Sequence, residues 1–189
     1  MNAFNHLKTV LTHKKYVFLY CFIAGITWQG IKHDMSKLNP KEFFESVKYY
    51  QGNRSPIDAS REENGYSKAF LHHVGHNKHH YEYWIDHYDM GGIPVQMPYK
   101  YALELVCDYL GAGRAYMKDK FTYQAEYQWW MKKNENPIMM HPHTKAFVDE
   151  MLWRLSEGQD EEIVLRHSSK GIYAELSCQL DLRNRTDIH

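Results

Sequence analysis

The stretch His72-His73-Val74-Gly75-His76-Asn77-Lys78-His79-His80 places five histidines in nine residues. Histidine is a middling helix former and is not a typical core residue, so a segment that keeps five of them points to a use for the imidazoles. Read as part of one helix from about Tyr66 to His87, the stretch sets His73, Asn77, His80 and Trp84 on one face. His72, His76 and His79 then form a neighbouring stripe. Two or three imidazoles on one helix can bind a divalent ion when carboxylates from elsewhere complete its shell. The fold therefore has to bring other segments to this one.

Working outward, the chain reads as helices joined by short breaks. A first helix runs from about Ala3 to Ala24, carries His13, and stops at Gly25. A short helical piece from Ile31 to Leu38 carries His33 and Asp34, and Asn39-Pro40 separates it from a helix over Lys41 to Tyr50. The polar stretch Gln51 to Gly65, QGNRSPIDASREENG, reads as a mobile loop or lid. Beyond Gly91-Gly92-Ile93-Pro94, a helix follows Pro98 to about Lys118 and carries Asp108. Gln124 to Lys133 and Thr144 to Ser156 read as further helices around a loop at Asn134 to Pro142, and Glu161 to Leu182 adds one more. Alternating strand patterns, internal repeats and Gly-rich phosphate loops are absent. The expected fold is all-α, a single-domain helical bundle over residues 1–189.

Composition narrows the function classes. With 23 basic and 23 acidic residues the formal charge is zero, so no global field draws in nucleic acid or an anionic membrane. Below about pH 6.5 the 13 histidines would charge and turn the chain cationic. Cys21, Cys107 and Cys178 lie far apart and form no C-x-x-C pair, which suits a reducing, cytoplasmic compartment. The apolar run from Tyr16 to Ile26 is short of the roughly 20 residues that span a bilayer and has no signal-cleavage pattern. It is expected to be a core helix. Trp129-Trp130 with Tyr123 and Tyr127 suits core packing or a homo-oligomer contact better than base stacking.

The ordered set His13, His33-Asp34, a histidine pair drawn from residues 73–80, and Asp108 resembles the H…HD…H…H…D order of the HD-domain metal-dependent phosphohydrolase superfamily. His33-Asp34-Met35-Ser36-Lys37 is similar to its HD-x-G-K segment, with Ser36 where glycine is usual. Together with Glu42-Phe43 and the H-x-x-x-N-x-H-H-x-x-x-W string from His73 to Trp84, the pattern resembles a microbial and phage branch of that superfamily. The likeness covers about residues 6–115, an HD-like core. A C-terminal helical extension, about 116–189, carries no matching motif.

The resemblance implies an HD-domain-like α bundle that hydrolyses a small-molecule phosphoester or nucleotide, with one or two divalent transition metals (Fe, Mn, Ni, Co or Zn). By matching position, His33, Asp34 and Asp108 would hold one ion with His13 as a fourth ligand. Asp34 would bridge to a second ion on His73 and either His80 or His79. On a continuous helix His73 and His80 share a face but stand about 10 Å apart along the axis. That is far for two ligands of one ion, so one of them could touch substrate instead, and a His76–His79 pair is a competing arrangement. Asp34, Lys37 and Glu42 are the expected catalytic residues. Lys37 would contact phosphate, joined by Lys78 or Arg61 if the polar loop closes, and Glu42 would order the water or stand behind a histidine. A di-iron oxygenase and a non-enzymatic metal-binding protein are the alternatives. No stable nucleic-acid complex and no membrane association are expected.

Overall fold

The computed structural model describes the backbone of residues 2–52 and 54–186 and the side chains of residues 3–52 and 54–179. Met1, Asn53 within the expected loop, and the last three residues of the expected 1–189 domain lie outside the described residues. Among the described residues there are nine α-helices, short 3-10 and π turns, and one two-stranded ribbon. The architecture is all-α.

Helix α1 (Asn2–Ile23) packs most extensively on α6 (Tyr99–Met117), and α2 (Thr27–Lys32) folds back onto α1. Two glycines permit these approaches. A Cβ at Gly111 would stand 2.4 Å from Val17 Cγ2 and 2.9 Å from the Val17 backbone nitrogen, and one at Gly30 would stand 2.8 Å from Cys21 Cβ. Helices α3 (Pro40–Tyr49), α4 (Pro56–Asn64) and α5 (Lys68–His76) form a second group in which α3 touches the other two. Helices α7 (Tyr123–Lys133), α8 (Pro142–Ser156) and α9 (Ser169–Thr186) complete the bundle, with α8 against α6, α7 and α9. Val17 and Cys21 of α1, Leu103, Val106 and Leu110 of α6, Trp130 of α7 and Phe147, Met151 and Leu155 of α8 share one buried cluster. Side chains from both sides of residue 116 thus fill the same core.

Helix starts follow ordinary capping chemistry. Asn39, Ser55, Ser67 and Thr122 each accept a hydrogen bond from a backbone N–H one turn in, and Pro40, Pro56 and Pro142 begin their helices. This corrects the loop or lid expected at Gln51 to Gly65. Ser55-Pro56 is a helix start there, and Gly65, at φ +79°, is the left-handed stop of α4. Arg54 pairs with the Glu62 carboxylate at 2.5 and 2.6 Å and ties the helix entry to its second turn.

The helix expected from Tyr66 to His87 is also corrected. α5 ends at His76, Asn77 turns out at φ −123° and ψ 101°, and residues Tyr81–Trp84 make a 3-10 turn. Ile85–Asp86 then pairs antiparallel with Ile93–Pro94, a two-residue ribbon that alternation could not reveal. The helix stops because Asn77 has better partners. Its Nδ2 donates to the His73 carbonyl at 2.7 Å and to Ser36 Oγ at 2.7 Å. Among the described residues no helix is long and apolar enough to cross a membrane.

Candidate metal centre

Five segments converge on a buried knot of imidazoles and carboxylates. His13 comes from α1, one turn or more from the buried Val10 and Val17 that fix its face. His33 and Asp34 lie in the break after α2, not on a continuous helix as expected. His33 is extended at ψ 128° and Asp34 is left-handed at φ +55°. A non-glycine residue in that region is strained, and here the turn lets neighbouring side chains face one point. Lys14 holds the bend from outside, donating from Nζ to the carbonyls of Ile31 at 2.8 Å and His33 at 2.6 Å.

The distances are short. His13 Nε2 is 3.3 Å from Asp34 Oδ2 and 3.1 Å from Asp108 Oδ1, and His33 Nε2 is 3.2 Å and 3.3 Å from the same oxygens. On the other side of Asp34, Oδ1 is 3.2 Å from His73 Nε2 and 3.5 Å from His79 Nε2. His80 Nε2 is 2.9 Å from His73 Nε2. The turn after α5 therefore removes the 10 Å separation expected on a helix and brings His79 and His80 to the point where His73 aims. His76 is exposed and bonds to the His72 carbonyl, so it stands outside this group.

Among the described residues, three sets of donor atoms lie within 4.8 Å of one another: His13, His33, Asp34 and Asp108; Asp34, His73, His79 and His80; and His33, His79 and Glu104. The first two share Asp34. Glu104 belongs behind the histidines, because its Oε1 accepts from His33 Nδ1 at 3.1 Å and faces His79 Nδ1 at 3.3 Å, which leaves both Nε2 atoms aimed inward. Glu42 does the same for His73, with Oε2 at 2.9 Å from its Nδ1, while Oε1 holds His72 Nδ1 at 2.6 Å. Both Glu42 oxygens are thus engaged away from the centre. That corrects the water-ordering role and leaves the supporting one. Ser36, where the resembled pattern has glycine, links Asn77 to His73 Nδ1 at 3.0 Å.

Electrostatically the knot is short of cations. Asp34, Asp108, Glu104 and Glu42 are all buried, and Lys37, with Nζ 2.5 Å from Asp34 Oδ2, is the ammonium among them. Burial opposes ionisation of Asp34, but His33, Lys37 and His73 outweigh it and hold its carboxyl well below the usual range. Asp108 behaves likewise beside His13, His33 and His79. Burial also works against charge on His33, yet Asp34, Asp108 and Glu104 raise its pKa well above the usual value. His79 and His80 are pushed down, by burial and then by their neighbouring imidazoles. Lys37 is raised, with Asp34 and Asp108 overcoming its desolvation. Asp34 Oδ1 and His79 Nε2 are buried without a hydrogen-bond partner, whereas Asp34 Oδ2 meets the Lys37 ammonium. Paired Nε2 atoms at 2.9 Å and 3.3 Å also need a proton or a cation between them. These donors fit a divalent transition ion, being nitrogen-rich, carboxylate-bridged and free of thiolate.

A cavity of about 520 Å³ opens beside the knot. His13, Lys37, His73, His80 and Asp108 reach its wall, and so do residues 54–58 at the start of α4. The other two cations proposed for phosphate are placed elsewhere. Lys78 is exposed, and the Arg61 guanidinium lies 4.1 Å over the Phe70 ring. Glu104 and Lys14 were missed in the sequence reading. Glu104 had a signal, since it is a carboxylate one helical turn before Asp108 within an apolar run, Ala102 to Leu110. Lys14 had none, because its partners are backbone carbonyls.

Fold and site together define an all-α protein with a buried histidine and aspartate cluster able to hold a metal ion. The family model described as "Family of unknown function (DUF5662)" matches residues 2–154, so the chain belongs to DUF5662. No curated protein and no solved structure matches the chain.

Proposed function

We propose that this protein is a metal-dependent phosphohydrolase that acts on a small phosphoester, nucleotides included. The observation that carries the reading is the meeting of donor cluster, Lys37 and cavity: His13, His80, Asp108 and the Lys37 ammonium all line the one cavity, where a substrate would meet them together. The chain order His13, His33-Asp34, His73, His79-His80, Asp108, which resembles that of the HD-domain superfamily, supports the same reaction class.

Asp34, common to both donor sets, suits a bridge between two ions, with His13, His33 and Asp108 on one side and His73, His79 and His80 on the other. When bound, such an ion supplies Lewis-acid polarisation of a phosphoryl oxygen and a water acidic enough to attack at neutral pH. The chain's own residues do the rest. Lys37 is positioned to take a phosphoryl oxygen and offset its charge. Glu104 and Glu42 accept the outward Nδ1 protons of His33, His79 and His73 and so fix their tautomers.

The test is elemental analysis of protein purified without a histidine tag, joined to a phosphate-release panel of phosphomonoesters and phosphodiesters. The wild type should carry a transition metal and release phosphate from at least one ester. His33→Ala and Asp108→Ala should lose the metal and the activity together. Lys37→Ala should keep the metal while turnover falls about 10²-fold or more. Full metal content in both ligand variants would sink the reading, as would a metal-loaded wild type that hydrolyses nothing.

A further inference from the structure

Two members of the histidine run take no part in the buried centre. His72 and His76 stand four residues apart on α5, where that spacing sets one side chain over the other. His76 is exposed, and His72 keeps 18% of its side chain exposed. Their rings lie 4.1 Å apart, centroid to centroid, and within 19° of parallel. Both are oriented through Nδ1. His72 Nδ1 meets Glu42 Oε1 at 2.6 Å, and His76 Nδ1 meets the His72 carbonyl at 2.7 Å. A carbonyl and a carboxylate only accept, so each ring carries its proton on Nδ1, and in the neutral imidazole the lone pair is left on Nε2. Among the described residues neither Nε2 has a hydrogen-bond partner.

The surroundings suit a cation. His76 is the last residue of α5 and His72 lies one turn before it, so both rings sit at the negative end of the helix dipole. Gly75, exposed beside them, would meet nothing within 4 Å if it carried a Cβ. No packing asks for glycine there, although glycine in a helix costs roughly 0.5–1 kcal/mol relative to alanine, and its bare backbone leaves that flank of the pair open to a hydrated ion. An ion with metal–nitrogen bonds of about 2.0–2.1 Å spans two nitrogens up to about 4 Å apart, so a slight opening of the stack aims both lone pairs at it. Glu42 stands behind His72 as it stands behind His73 of the buried centre, one oxygen to each.

We infer that His72 and His76 form an outer site for a divalent transition ion, separate from the buried centre and one shared carboxylate away from it. Two imidazoles with water completing the shell take Cu²⁺, Ni²⁺, Zn²⁺ or Co²⁺, whereas Mg²⁺ and Ca²⁺ take oxygen ligands. The inference uses none of the converging donors, so it stands or falls apart from the phosphohydrolase reading.

The experiment is equilibrium dialysis of the untagged full chain against Co²⁺, followed by elemental analysis and absorption spectroscopy. Wild type should hold one ion per chain more than His76→Gln, and His72→Gln should lose the same ion. The hydrogen bond of His76 is to its own helix, so its replacement leaves the packing between helices alone. His76→Cys, which puts a thiolate at the same place, should restore the ion and add a thiolate-to-Co²⁺ charge-transfer band in the near ultraviolet, beyond any that the exposed Cys178 gives the wild type. Unchanged metal content in both glutamine variants overturns the inference. A loss confined to His72→Gln overturns it as well, because the effect would then run through Glu42 to the buried centre. So does a His76→Cys chain that shows no new band.

Discussion

Single residues behind the donor cluster govern it as much as the donors do. Glu104 holds two imidazoles through one oxygen, so removing its charge weakens the hold on the Nδ1 atoms of both His33 and His79 at once. Glu104→Gln should lower metal affinity about 10- to 100-fold, as loss of such a supporting carboxylate typically does. Competitive chelation followed by elemental analysis would measure this. An unchanged affinity would mean that the two histidines are oriented by packing alone. Among the candidate donors, Asp108 was legible as a carboxylate amid apolar neighbours, whereas His13, His33 and Asp34 were legible only as members of an ordered set that resembles the HD-domain pattern. Glu42 was legible as well, with water-ordering and histidine support left open, and the structure turns both of its oxygens towards His72 and His73.

Elements decide where those residues aim. The strongest local signals, proline, serine and glycine, mark both loops and helix ends, and between Gln51 and Gly65 they marked the two ends of α4. The histidine run carried the opposite ambiguity. Its spacing fits a helical face, whereas Asn77 finds side-chain and carbonyl partners that end the helix and turn His79 and His80 back toward His73. Such a choice depends on Ser36, more than forty residues away in the chain, and no local pattern contains it. Contact between α1 and α6 has a sharper dependence on one position. Gly111→Ala would press a methyl group against the Val17 backbone, which cannot swing aside. It should lower unfolding free energy by about 1–3 kcal/mol, read in urea or heat denaturation, and should loosen the metal centre by moving His13 relative to Asp108. A variant as stable as wild type would show that the two helices have slack.

Over the whole molecule, the donors are drawn from α1, the break after α2, α5 with its following turn, and α6. No fragment of the chain holds the complete set. The all-α class was readable from periodicity, but this convergence was not, because it follows from which helices touch. It also has a kinetic consequence. Before the helices assemble, the run from His72 to His80 is already a polyhistidine chelator, and an unfolded chain that grips an ion there holds it with the wrong partners. Refolding from urea with excess Zn²⁺ or Ni²⁺ should therefore be slower than refolding in chelator followed by addition of the ion, with the delay abolished in a His72→Ala, His76→Ala double variant that leaves the convergent donors intact. Equal refolding rates under both regimes would show that the ion is captured only by the finished fold. The histidine-rich turn would in that case be silent until its neighbours arrive, and the order of events in the cell would be folding first and metal second.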